Sequence, residues 1–472
     1  MKKLKKGFSL LVVFTSSIFA QENSILEFSK IWDKIQTHSH TQKALFLESK
    51  AALQSKQKAA KHWYPRVYVD ARAYNTNDPA MNFFSILGQR SARESDFSTK
   101  SVRNRPSNFI DTNNNLYQNP NYNTLNLFAP DNLNYPGNNT YQRGTLGIDL
   151  PLYEGGSKSS IQKAYEKQAE GKKLEIQFVS LSEYTNYAAM YGTLSVLYDF
   201  QDKLTALEKT VKGIMARYQL NNKGNPLGYS GGLGLRSLKN RLEGLREENS
   251  AKIKSIREIL EVAASDLPEN WSIKYQPSLT FVEQYLKYQP AEKSFMAKAM
   301  KAYTESVENQ AKAEQARVLP KVGVYTEGYV YRGDRAIANA YNAGFYVQMN
   351  LYSPGDLETI EEANLKSKAM QERTLELQKM EEAKVKSLLE MEQALKKNLE
   401  LLNENTKLLD EQVTVAQQLF SNGALNALQL SEVLSRKADV IYAKMNLESE
   451  YLKTRAALVT MSEINLREEK NE

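Results

Sequence analysis

The chain writes one unit twice. Each copy has a strand that starts beside a proline, a second strand, and then a very long helical stretch. The first copy carries Tyr64-Pro65-Arg66-Val67-Tyr68-Val69 and later Leu150-Pro151-Leu152-Tyr153-Glu154-Gly155-Gly156. The second carries Leu319-Pro320-Lys321-Val322-Gly323-Val324 and later Leu351-Tyr352-Ser353-Pro354-Gly355-Asp356. Pro65 and Pro320 lie 255 residues apart but Leu152 and Leu351 only 199, so the first copy holds 56 extra residues between its strands. A repeat this long is a duplicated domain, not a solenoid, whose period runs to roughly 20–50 residues. The first copy spans residues 21–266 and the second 267–472, with a junction near residues 271–277.

Residues 1–20 read as a secretory signal peptide: Lys2, Lys3, Lys5 and Lys6, then a short apolar stretch, then Ala20 at the cleavage position. Its removal lowers the net charge from +7 to +3, which weakens any argument for nucleic acid as a partner. The chain has no cysteine, so disulfides, zinc-thiolate sites, thiol nucleophiles and a lipid-anchored N-terminal cysteine are all excluded. No later stretch has the roughly 18–20 continuous apolar residues of a membrane helix. If the mature chain enters a bilayer it does so as a closed β-barrel, because lipid leaves open sheet edges unsatisfied.

Four segments alternate with period two. Val67, Val69, Ala71 and Ala73 alternate with Tyr68, Asp70, Arg72 and Tyr74, and Leu146, Ile148 and Leu150 with Thr145, Gly147 and Asp149. Val322, Val324 and Thr326 lead into residues 328–331, and Phe345, Val347, Met349 and Leu351 alternate with Tyr346, Gln348 and Asn350. One apolar and one polar face fits a half-buried sheet or a water-filled membrane barrel, with tyrosines near the strand ends as an interfacial girdle. Residues 76–140 between the first two strands read as a long polar loop; residues 101–140 alone hold 13 Asn. The matching loop of the second copy is about ten residues, around 332–341.

The rest is helical. Residues 157–222 and 356–421 run with no proline and little glycine, each reaching roughly 100 Å. Leu388, Leu395, Leu402, Leu409 and Ala416 are spaced by seven, the mark of helices packed side by side along their length. Both stretches end in glycine turns, at Gly224 and at Asn422-Gly423, and return as helices over about 234–262 and 426–465. Shorter helices, about 24–63 and 279–318, precede the proline-led strands.

Gly228-Tyr229-Ser230-Gly231-Gly232 matches the G-x-S-x-G nucleophile elbow, but a long helix precedes it and all three histidines, His38, His40 and His62, come before Ser230. His38 and His40, two apart, fall on different helix faces and make a poor metal pair. Glu361-Glu362 and Glu381-Glu382 are solvated helix faces. No acid–base pair, nucleophile, cofactor or metal site is expected.

In order, the proline-led strand starts at Pro65 and Pro320, the corners at residues 152–156 and 351–355, and the turn Phe420-Ser421-Asn422-Gly423 followed by Leu428 resemble the TolC-like outer-membrane efflux family over the whole mature chain. The resemblance implies a mostly α fold with a membrane β-barrel: a long α-helical barrel, with four strands per chain contributing to a 12-stranded trimeric barrel. It implies a homotrimer in outer-membrane lipid that extends into the periplasm. Such a trimer serves a periplasmic adaptor protein and an inner-membrane efflux or ABC-type pump, as in drug efflux or type I secretion. It also implies that the turns at Gly224, Asn422 and Gly423 dock the adaptor, and that Gln429 and Glu432 stand where acidic residues narrow the periplasmic gate. Two departures stand out: the long first hairpin loop, and extra residues in the first turn, residues 221–234. The alternative is an exported helical scaffold or adhesin that displays the Asn-rich loop.

Overall fold

A computed structural model describes residues 25–93, 136–217 and 226–464, together with Asp96 and Asn113. The signal segment and the first glycine turn, with Gly224, lie outside the described residues. In chain order the elements are α1 (Phe28–His38), α2 (His40–Ala60), β1 (Arg66–Thr76), α3 (Pro79–Gly88), β2 (Asn139–Glu154), α4 (Ser157–Arg217), α5 (Pro226–Ala264), α6 (Ser278–Tyr285), α7 (Phe295–Gln315), β3 (Lys321–Arg332), β4 (Ile337–Gln348), α8 (Pro354–Ser421) and α9 (Ala427–Thr460). The chain divides into two units, one of residues 51–169 and 303–371 and the other of the remainder.

The first unit is built on one antiparallel sheet in the order β1-β2-β3-β4. The two hairpins, one from each repeat, meet where β2 pairs with β3, Ile148 opposite Thr326 and Leu150 opposite Val324. β2 carries an irregularity between Pro151 and Tyr153, then turns into α4 through Gly155 and Gly156, both at positive φ (63° and 82°). Such angles suit a residue without Cβ. The second hairpin turn is residues 333–336, shorter than the ten expected, because β3 and β4 stay paired out to Arg332 and Ile337. Helix segments beneath the sheet join by Lys56–Glu166 at 2.7 Å, Lys167–Glu305 at 2.8 Å and Ser306 Oγ donating to Ala164 O at 2.8 Å.

The second unit is helical. α8 runs 68 residues, close to the span its unbroken sequence predicts. Along it, Leu388, Glu392, Leu395, Leu399, Leu402, Thr406, Leu409, Val413, Ala416 and Phe420 alternate in steps of four and three, and none of the ten is exposed. That is a heptad seam. Its Leu395, Leu399, Val413 and Ala416 belong to a core shared with Leu194, Leu197 and Leu204 of α4, Leu238 and Leu242 of α5, and Leu430 and Leu434 of α9. α8 and α9 form an antiparallel hairpin fixed by Asp410–Lys437 and Glu392–Arg455, both at 2.6 Å. Phe28 of α1, Tyr184 and Tyr191 of α4, and Phe281 and Tyr285 of α6 make an aromatic cluster with centroids 4.9–6.3 Å apart.

Candidate channel surfaces

The strand register sorts the sheet into two unlike faces. Tyr68, Gly147, Glu327 and Asn342 stand opposite one another across the four strands, as do Asp70, Thr145, Tyr329 and Ala340. This face is polar and aromatic. Tyr68 and Tyr329 both donate to the Glu327 carboxylate, and the Arg143 guanidinium lies 4.8 Å from the Tyr329 ring centre. The opposite face carries Val67, Val69, Leu146, Ile148, Val324, Phe345 and Val347. Val69 is 76% and Phe345 78% exposed in the single chain. An apolar face left to solvent by a folded chain marks a surface meant for another apolar phase. Exposed aromatics gather at the end of the strands that leads to the helices: Trp63, Tyr64, Tyr153 and Tyr352. Their placement matches the girdle expected of a membrane barrel.

Three tyrosines of the polar face stand directly opposite glycines: Tyr68 opposite Gly147, Tyr346 opposite Gly323 and Tyr325 opposite Gly344. Each ring fills the place of the missing side chain. A Cβ on Gly147 would lie 2.3 Å from Tyr68 Cζ, and one on Gly323 2.5 Å from Tyr346 Cζ. The rings therefore lie flat along the wall, the pairing known as aromatic rescue of strand glycines. Gly147→Ala is expected to lift the Tyr68 ring off the sheet while leaving the helical content unchanged; on a channel reading of this face it also lowers single-channel conductance in planar bilayers.

The other candidate surface is the hairpin between α8 and α9. Ala424 N donates to Leu419 O at 2.9 Å and Gly423 N to Phe420 O at 3.1 Å, with Gly423 at φ 74°. This is a Schellman stop, and it explains glycine at that position. α9 then starts with a capping box: Gln429 N donates to Asn426 Oδ1 at 2.9 Å, and Asn426 N to Gln429 Oε1 at 3.2 Å. The expected docking residues Asn422 and Gly423 are thus exposed at a rigid tip. Of the two expected gate positions, Glu432 is exposed one turn into α9, whereas Gln429 is committed to the cap.

Beside this tip α5 begins at Pro226, eight residues before the expected 234. The glycine-rich motif read as part of a turn is helix. A Cβ on Gly231 would come within 2.6 Å of Ala427 Cβ and 3.0 Å of Leu428 N, and one on Gly234 within 2.7 Å of Ser431 Oγ. The glycines bring two helix backbones together. Ser230 sits inside α5, and the described element before α5 is the helix α4, so the strand-then-turn context of a nucleophile elbow is not found among the described residues. Among the described residues no group of three or more His, Cys, Asp or Glu side chains converges on a metal position.

No family model matches the chain, and no curated protein sequence matches it. Solved structures do. The chain is similar to CusC, whose structures concern folding and transmembrane channel formation (9% identity, TM-score 0.71, 95% of this chain and 96% of that one). It is similar to the outer membrane protein VceC of Vibrio cholerae (14%, 0.67, 92% and 96%) and to the CmeC outer membrane channel of Campylobacter jejuni (10%, 0.69, 100% and 96%). At these identities the likeness is one of fold, carried across the length of each protein.

Proposed function

We propose that this chain, which has the TolC-like fold of the outer-membrane channels, is one of three copies that together form a passive export conduit. The sheet carries this reading. One face is polar, the other is apolar and exposed, and among the described residues β1 and β4 each have a strand partner on one side only. Lipid accepts a sheet only as a closed barrel. Four strands are too few to enclose a lumen, whereas three copies supply twelve. α8 gives independent support. Leu401, Leu408 and Val415 sit one residue before the half-buried Leu402 and Leu409 and the buried Ala416, and they are 51–57% exposed. A second apolar seam at the same period suits a neighbouring copy. The outer membrane then surrounds the apolar band, the helices extend into the periplasm, and the insertion of residues 76–140 stands at the outer mouth. Energy comes from an inner-membrane pump, coupled through a periplasmic adaptor that docks at the tip around Asn422 and Gly423. Detergent-solubilised protein is expected to sediment near three times the mature chain mass and to form conducting pores. A monodisperse monomer with native helicity would falsify this reading.

Three copies of Glu432 around one axis at the tip form an acidic ring, a known source of cation preference. Glu432→Lys is expected to shift the reversal potential under a salt gradient toward anions. Because Gln429 Oε1 holds the cap, Gln429→Glu is the variant that adds charge and keeps that bond; it is expected to strengthen cation preference. Unchanged selectivity in both variants, with trimers intact, removes the ring.

A further inference from the structure

The insertion in the first hairpin opens with a helix, and that helix lies on the polar face of the sheet. α3 starts where Asp78 accepts from Met81 N at 2.8 Å, with Pro79 at its first position. It is then fastened at several points. Tyr141 OH donates to Asn82 Oδ1 at 2.7 Å, and Tyr74 OH and Ser85 Oγ lie 2.8 Å apart. Gln89 Oε1 accepts from Ala336 N at 3.2 Å in the β3–β4 turn. Beyond the helix, Asp96 pairs with Arg335 of the same turn at 2.7 Å, and that guanidinium holds its carboxyl below the usual carboxylate range. A Cβ on Gly88 would meet the Tyr331 ring at 2.8 Å. Tyr74, Tyr141 and Tyr331 belong to the polar face. Asn82, Ser85 and Gln89 are 1%, 5% and 2% exposed, and each is hydrogen-bonded. Buried polar side chains that are satisfied fix a segment in one place.

The far side of α3 is different. Met81, Phe84 and Leu87, spaced by three, are 46%, 67% and 42% exposed. The helix meets the strands near Thr76 and Asn139, the end away from the long helices.

On the trimer reading, we propose that the three α3 helices meet through Met81, Phe84 and Leu87 and close the outer mouth of the barrel with an apolar constriction. The occupant of each exposed face is the same face of the other two copies. Twelve strands about 4.8 Å apart and tilted about 40° enclose a circle of about 12 Å radius. A helix packed on the inner wall has its axis roughly 10 Å from that wall. Three helices packed about 8–10 Å apart keep their axes about 5 Å from the centre, so three of them fill a mouth of this size and cannot avoid one another where the strands end. A narrow apolar ring excludes ions by dewetting. The insertion thus gives the conduit its own outer closure, separate from the turn end.

The chain has no cysteine, so Phe84→Cys places one thiol in each copy. In solubilised trimers a short bismaleimide is expected to join copies through it, while Val69→Cys on the apolar outer face stays unlinked. The triple substitution Met81→Ser, Phe84→Ser and Leu87→Ser is expected to raise single-channel conductance several-fold. A charged methanethiosulfonate reagent added to assembled Phe84→Cys pores is expected to do the same without refolding. Copies that stay unlinked in an intact trimer, or conductance that neither treatment changes, overturn this proposal alone. A monomer overturns the trimer reading and this proposal with it.

Discussion

Trp271→Ala is expected to lower the stability of the helical unit by about 3–5 kcal/mol, the range for emptying a buried aromatic site. Trp271 is 2% exposed at the junction of the two repeats. The Arg257 guanidinium lies 4.3 Å from its ring and also donates to its carbonyl at 2.9 Å, and its indole N–H donates to Glu261 at 2.8 Å. The next residue, Ser272, accepts from Leu26 N at 2.9 Å, which ties the start of α1 to the junction. Alanine would leave a cavity, Arg257 without its aromatic face, and Glu261 without its indole donor. Trp271→Phe restores part of the volume but not the donor, so it should fall between. Urea unfolding followed by far-UV circular dichroism reads the order: native, then phenylalanine, then alanine. An alanine variant within about 1 kcal/mol of native would show that the junction collapses around the gap, as sites free to relax do.

Gly231→Leu is the second large effect. Its neighbours in α9 are Ala427 Cβ and the backbone of Leu428, and neither is the far end of a flexible side chain. The two helices must separate for the substitution to fit. Overpacking of this kind costs roughly 1–3 kcal/mol and occasionally more. Separation also breaks the contact of Arg241 with Ser435, 3.0 Å, further along the same pair. Protease nicking around residues 424–427 is expected to rise sharply, and pores to conduct with unstable, flickering steps. Gly244→Leu is the control, because nothing lies within 4 Å of a Cβ there.

Much of this architecture was legible in the letters, and the misses have physical causes. The alternation in β1 to β4 fixes which residues share a face, and the seven-residue spacing of α8 names its buried seam, because both follow from local geometry. The flattened tyrosines were not legible. Tyr68 stands opposite Gly147 across a 56-residue insertion, and Tyr325 and Tyr346 face their glycines through a turn of residues 333–336 rather than a loop of about ten, so no local rule sets any of these registers. The break between α1 and α2 at Ser39 carries neither glycine nor proline, so one continuous helix is the natural expectation. The gap between α6 and α7 contains Pro290, a stop signal inside the expected helix of 279–318. α5 starts ahead of residue 234 although Gly228, Gly231, Gly232 and Gly234 look like a turn; close approach to α9 overrides helix propensity there. α3 had its signals, Asp78 as cap and Pro79 at the first position, submerged in a polar stretch. At the tip, Asn422 and Gly423 follow from turn chemistry, while the engagement of Gln429 in the cap is a side-chain contact that spacing alone leaves open.

The two edge strands of the sheet have a consequence for how such a pore comes into being. On the trimer reading a single copy carries unmatched backbone donors and acceptors along β1 and β4 and a bare apolar band besides, so it has no stable home in lipid or in water. Joining its siblings and entering the bilayer become one event. The yield of that event depends on the third power of the free chain concentration: where most copies are still unassembled, halving the supply of chain cuts the number of pores about eightfold. The cell must then hold the waiting copies soluble. A protein that sheathes strand edges would shape the abundance of this conduit as strongly as its promoter does.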